Sequence, residues 1–145
     1  MRAARLTAIV ATCAGAVGFA VPEAQARRVA SPSGTIVCSD ARSVGRLGIT
    51  RGLVCSISEQ SFLPSRGCDG GYNPSVFLGP GGRSRRVDQC GALLGSLGSG
   101  RVRTVRVGSR VTIDGATCRS LRGAFRCTNR AGHGFRLSAR ALSRF

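Results

Sequence analysis

CRSLRGAFRCTNRAGHGFRLSARALSRF, residues 118–145, is the stretch that decides the fold. If Arg122-Gly123 forms a two-residue turn, Cys118 falls opposite Cys127, Arg119 opposite Arg126 and Ser120 opposite Phe125. Glycine supplies the positive φ that tight hairpin loops need. Directly opposed antiparallel positions also lie within disulfide reach. The stretch therefore predicts a β-hairpin closed by a Cys118–Cys127 disulfide. Beyond it, Phe135 and Leu137 alternate with Arg136 and Ser138 in a further strand, and Ala139-Arg140-Ala141-Leu142 predicts a short C-terminal helical turn.

The same alternation extends upstream. From Val105 to Ile113 the odd positions are apolar or small, while Arg106, Arg110 and Thr112 take the other face, in one long strand or in two with a bend at Gly108. Asp114-Gly115 is a turn signal. Residues 59–100 are broken by glycine and proline, and only Ser75–Leu78 and Arg86–Gln89 read as strands, a hairpin around the GPGG turn at 79–82. That turn lacks the GK[ST] ending of a phosphate-binding loop. Further upstream, Ile36 and Cys38 share the apolar face of one β-branched strand, and Leu53, Cys55 and Ile57 share that of another. The expected core is Ile36, Leu53, Ile57, Val105, Val107, Val111, Ile113, Phe125, Phe135 and Leu137.

Residues 1–26 read as a secretory signal. Arg2 and Arg5 precede an apolar run from Leu6 to Val21, and Ala24-Gln25-Ala26 is a small-x-small cleavage site. Val10-Ala11-Thr12-Cys13 loosely resembles a lipobox, but Thr12 is poor before a lipid-modified cysteine and the apolar run continues past it, so soluble secretion is preferred to anchoring at Cys13. The expected mature chain, 27–145, suffices for one domain and is short for two. It has no apolar run approaching the ~20 residues that span a bilayer.

Of the seven cysteines, six remain in that chain, and an even count behind a signal peptide implies three disulfides. Sequential pairing is expected: Cys38–Cys55 between the two apolar strand faces, Cys68–Cys90 tying the glycine-rich middle, and Cys118–Cys127. No C-x-x-C occurs and the one histidine has no ligand-spaced partner, so no metal or other cofactor is expected.

All 22 basic residues are arginine. Loss of residues 1–26 removes two arginines and Glu23 from the +16 total and leaves +15. Such a chain attracts polyanions, whether nucleic acid, anionic cell-envelope polymer or acidic head groups. The plain alternative is that arginine replaces lysine through codon bias and merely solvates the surface. Alternation singles out Arg106, Arg110, Arg119, Arg126 and Arg136 as a shared basic face. For catalysis the candidates are His133, whose side-chain type serves most often as general acid or base, and Glu59, the only glutamate after residue 26. With arginine to stabilise a phosphorane, that pair would suit a small nuclease or other hydrolase. Against it, His133 sits between two glycines as a turn histidine would, its ring hydrogen-bonded to nearby backbone, and no G-x-S-x-G or clustered acidic loop is present.

Through SPSGTIVC (31–38), LVCSI (53–57) and CTNRAGHGFRLS (127–138), the chain resembles an uncharacterised family of small secreted, mostly actinobacterial proteins, domain of unknown function 6636. The resemblance implies a single secreted domain and carries no activity. The sequence thus predicts an all-β fold, a disulfide-stapled antiparallel β-sandwich or open barrel. The function expected is that of a secreted non-catalytic interaction module for anionic polymers or envelope components, with a His133 hydrolase as the alternative.

Overall fold

The computed structural model describes residues 28–43, 48–58, 61, 72–87, 89–90 and 101–145. The expected signal at 1–26 with Cys13, the Cys68–Cys90 pair and Glu59 lie, wholly or in part, outside the described residues. In chain order the strands are β1 (Arg28–Ala30), β2 (Ile36–Asp40), β3 (Leu53–Ile57), β4 (Tyr72–Asn73), β5 (Ser75–Leu78), β6 (Arg85–Arg86), β7 (Gln89–Cys90), β8 (Arg103–Thr104), β9 (Arg110–Ile113), β10 (Ala116–Leu121), β11 (Ala124–Thr128), β12 (Gly134–Ser138) and β13 (Leu142–Arg144). A 3-10 turn, Ala41–Ser43, follows β2. The fold is all-β, as the alternation predicts.

The strands form a six-stranded sheet in the order β6-β5-β3-β2-β1-β8, a five-stranded sheet in the order β13-β12-β11-β10-β9, and a small pair, β4-β7. In the five-stranded sheet each strand follows its sequence neighbour, because short connections return the chain at once, the first two of them two-residue turns. Leu121 faces Ala124 across Arg122-Gly123 with Gly123 at φ 69°, and Ile113 faces Ala116 across Asp114-Gly115. Asp114 and Gly115 both hold positive φ, 40° and 84°, as a type I′ turn demands. The register of the decisive hairpin is the one the sequence predicts: Cys118 opposite Cys127, Arg119 opposite Arg126 and Ser120 opposite Phe125.

One apolar cluster joins the inner faces of both large sheets. Val29, Ile36, Leu53, Ile57, Val76 and Leu78 come from one, and Val111, Ile113, Phe125, Phe135 and Leu137 from the other. This makes a sandwich. Each of the fully buried phenylalanines contributes roughly 1.5–3 kcal/mol relative to exposure. Both predicted disulfides within the described residues are formed, Cys38–Cys55 and Cys118–Cys127, each across directly paired strand positions. They meet in the middle of the core, where the sulfurs of Cys38, Cys55 and Cys127 lie within 4.8 Å of one another. These sulfurs are bonded in pairs, so their proximity is sheet packing and not a set of thiolate ligands. The six-stranded sheet also buries residues on its other face, where Ala30, Val37 and Val54 pack with Ala41 and the half-buried Ile49, Phe77 and Val87.

Two sequence expectations are corrected. Val107 is 56% exposed and not in the core, although the other nine predicted core residues are buried. The reason is that, of the two readings of Val105 to Ile113, one long strand or two with a bend at Gly108, the structure has the broken one. Val105 leaves the six-stranded sheet just after β8, its amide donating to the Ala30 carbonyl, and the chain turns at Gly108 (φ 87°) into β9 of the five-stranded sheet. Alternation has no meaning across a crossing between sheets, so Val107 falls on the outside. Second, the expected helical turn at 139–142 is absent. The chain bends at 139–140, Ser138 Oγ accepts the Ala141 amide, and Leu142–Arg144 continues as β13 along β12. A sheet edge offers a row of backbone partners that a four-residue helix cannot supply for itself.

Polar side chains fasten one sheet to the other, among them Ser84, whose hydroxyl donates to the Gly134 carbonyl at 2.8 Å, Asp114 and Asn129. Asp114 accepts the Gly52 amide at 2.5 Å, joining the β9–β10 turn to the entry of β3, and lies 3.9 Å from the exposed Arg42. Asn129, 6% exposed, donates through Nδ2 to the Gly79 and Gly82 carbonyls at 2.9 and 2.8 Å, while its Oδ1 accepts the Ala131 and His133 amides. The β11–β12 loop is thereby held on the GPGG turn.

Candidate functional site

The outer face of the five-stranded sheet is built by the triplets Arg110-Val-Thr112, Thr117-Cys-Arg119 and Arg126-Cys-Thr128, on three successive strands. In each, the middle residue is buried and the flanking two point outward, because successive strand residues take opposite faces. The order Arg-x-Thr, Thr-x-Arg, Arg-x-Thr reverses with every reversal of strand direction. Like residues consequently fall side by side. Arg110 pairs with Arg119, Arg119 with Arg126, and Arg126 with Arg136 of β12, so four arginines form one continuous cross-strand ladder. Thr112, Thr117 and Thr128 form a second row in register with it, and Gly134 takes the corresponding place on β12.

All four ladder arginines are exposed. Among the described residues none of them makes an ion pair or a hydrogen bond. Arg126 alone has a specific neighbour, the Phe145 ring, 4.8 Å from its guanidinium carbon. Phe145 reaches that position because Gly134 has no side chain. The Gly134 amide and carbonyl pair with those of Phe145, and the ring lies where a β-carbon on residue 134 would sit, 2.9 Å away. Any larger residue there would also strike the Cys127 carbonyl. The ladder and the threonine row border a shallow depression of about 300 Å³ lined by Arg110, Thr117, Arg119, Arg126 and Thr128. That volume is at the lower end of the roughly 300–1,000 Å³ typical of small-ligand sites.

The fifth arginine of the expected face, Arg106, is exposed but lies on the crossing between the sheets, outside any strand. It borders a separate groove with Arg103 and Arg110. Arg110 belongs to both surfaces, so Arg106 adjoins the ladder at its β9 end without being a rung of it.

His133 is half-buried in the β11–β12 loop, and its backbone is pinned from both sides by Asn129. Its ring makes no hydrogen bond with the described residues. The imidazole faces a cavity of about 760 Å³ lined also by Arg83, Ser84, Leu142, Arg144 and Phe145. No Asp or Glu is among the described residues of that lining. The two described acidic side chains are engaged elsewhere, Asp40 with the Ser43 amide and hydroxyl and Asp114 with Gly52. The His133–Glu59 pair expected of a hydrolase has its carboxylate outside the described residues.

The threonine row and the role of Asn129 were not anticipated. The row was legible in the alternating order of the arginine–threonine triplets. The bonds of Asn129 to the opposite layer carried no local signal, since those partners lie 47 and 50 residues away in sequence.

Cross-strand disulfides of this kind form and persist in oxidising surroundings, which places the chain in an extracytoplasmic environment. Among the described residues no helix is long and apolar enough to cross a membrane. No protein-family model matches the chain, and neither a curated protein nor a solved structure matches it.

Proposed function

We propose that the protein is a secreted, non-catalytic interaction module that holds anionic polymers, such as those of the cell envelope, against the arginine ladder. The observation that carries this reading is the register itself: four exposed arginines directly side by side, without an acidic partner among the described residues. Like charges directly opposite on a sheet are unfavourable by roughly 0.2–1 kcal/mol per pair. Three such pairs in succession are relieved by an anion that lies over them, and the planar guanidinium fork grips phosphate or carboxylate through two hydrogen bonds. Random solvation of the surface would give arginines scattered among other residues and staggered between strands. A net charge of +16 over the whole chain adds long-range attraction for the same partners. The signal-like segment at 1–26 and the family resemblance support secretion, to be checked by the N-terminus of protein recovered from the medium, expected at Arg27.

The test is a titration of heparin, as a general polyanion probe, into the wild type and Arg119→Gln/Arg126→Gln across a range of salt concentrations. Affinity should fall roughly tenfold in the double variant, and the log–log salt slope should become shallower by about 2, one for each lost contact. Equal affinity and slope in the two proteins would reduce the ladder to solvated charge. Turnover of RNA by the wild type but not by His133→Ala would overturn the non-catalytic half of the reading and favour the hydrolase.

A further inference from the structure

We propose that the polymer held by the ladder is an acidic polysaccharide laid across the strands, its acid groups on the arginine row and its hydroxyls on the threonine row. This rests on the ladder being a polyanion site and goes on to name the class of polymer. The first observation is directional. A ladder in register runs perpendicular to the strands, so its charges repeat at the strand spacing of about 4.8 Å and four of them extend over roughly 14 Å. A linear chain following that line meets one guanidinium per strand.

The second observation is the threonine row. It runs parallel to the arginines two residues along each strand, about 7 Å away. Thr117 is exposed and Thr112 and Thr128 are half-buried, and none of the three hydroxyls has a hydrogen-bond partner among the described residues. The depression between the rows is lined by members of both, Thr117 and Thr128 with Arg110, Arg119 and Arg126. A ligand seated there touches cations along one side and neutral donor–acceptor hydroxyls along the other. Sugar rings that carry an acid group on one edge and hydroxyls on another present that division in every residue. A polymer bearing charge alone would leave the hydroxyl row unused.

The third observation concerns aromatic residues. Sites for single-stranded nucleic acid interleave their cations with aromatic rings on which bases stack. Here the described aromatic on this face is Phe145, whose ring fills the Gly134 place in the threonine row and already carries Arg126 against it. It does not line the depression, and one ring already covered by an arginine is not the series of rings on which successive bases stack, which makes RNA and single-stranded DNA poor fits.

The proposal is tested with three proteins, the wild type, Thr117→Val/Thr128→Val and Arg119→Gln/Arg126→Gln, and three probes: an oligogalacturonate, inorganic polyphosphate of matched charge and polyuridylate. Valine keeps the branched shape and suits a strand, so the threonine variant should fold, which circular dichroism would confirm. We expect it to bind the oligogalacturonate roughly tenfold more weakly, as loss of two hydrogen bonds implies, while its binding of polyphosphate stays within about twofold. The arginine variant should lose affinity for both. If the threonine variant binds the oligogalacturonate as the wild type does, or loses both probes equally, the polysaccharide assignment fails and the ladder reading stands. Tighter binding of polyuridylate than of the oligogalacturonate by the wild type would also overturn it. No loss in the arginine variant would instead remove the ladder reading beneath it.

Discussion

Ser120 is fully buried opposite Phe125 in the hairpin, and among the described residues its hydroxyl has no hydrogen-bond partner. A hydroxyl withdrawn from water without a partner costs free energy, and alanine fits the same space without it. Ser120→Ala should therefore be neutral or more stable by up to about 1 kcal/mol in urea unfolding. Asn129 is the opposite case, a buried amide with all of its described bonds made. Its removal leaves the Gly79 and Gly82 carbonyls and the Ala131 and His133 amides without that partner. Asn129→Ala should cost roughly 2–4 kcal/mol by the same measurement, the high end applying if water does not enter. It should also free the loop that carries His133, visible as faster amide exchange at residues 131–133 than in the wild type.

At the scale of the element, the five-stranded sheet shows how sequence order sets surface pattern. β9, β10 and β11 alternate in direction, and each carries its arginine and threonine in the order reversed from its neighbour, so the two rows stay straight across these three strands. The arrangement has a cost for stability that can be measured. Replacing Arg119 and Arg126 by Gln removes the charge from the two middle rungs and should stabilise the fold by about 0.5 kcal/mol or more at low salt, with the gain fading as salt screens the repulsion. A loss of stability would mean that the Arg126–Phe145 contact removed with the charge outweighs the repulsion relieved. At the end of the sheet, β13 takes the place of the expected helical turn because β12 presents an edge to pair with. Leu142 lies on that strand opposite Leu137 and packs its half-buried side chain against the core.

Across the whole molecule, the two disulfides among the described residues act as paired staples, one per sheet, stacked in the shared core. Cys38–Cys55 closes a separation of 17 residues and Cys118–Cys127 one of 9. Loss of chain entropy in the unfolded state favours the longer loop slightly, so Cys38→Ala/Cys55→Ala should cost about 3 kcal/mol and the other pair a few tenths less. Comparable melting curves for the two double variants and the wild type would show that sheet packing alone carries the stability. Asp114 and Asn129 then hold the two layers at fixed points, one at the β9–β10 turn and one at the β11–β12 loop. The ladder thus rests on a sheet that is fixed from beneath by the core and at two of its turns by polar bonds.

The sequence alone determined the β class, the hairpin register about Arg122-Gly123, two disulfide pairings and nine of the ten core positions named from it. All of these depend on local periodicity, turn chemistry or cysteine position, which neighbouring residues settle among themselves. It also determined that Arg110, Arg119, Arg126 and Arg136 face outward. Tertiary structure decided where the chain passes from one sheet to the other, and with that the exposure of Val107 and the separation of Arg106 from the ladder. It also decided the strand at 142–144 and the bonds of Asn129 to Gly79 and Gly82. The crossing and these two bonds depend on partners far away in sequence, a second sheet to join and carbonyls on a turn in the opposite layer, while the last strand depends on the adjacent β12 having an edge free to receive it. Period-2 alternation says which side of a strand a residue takes. It does not say which sheet that strand joins, because that choice rests on long-range pairing and on the burial of two faces against each other.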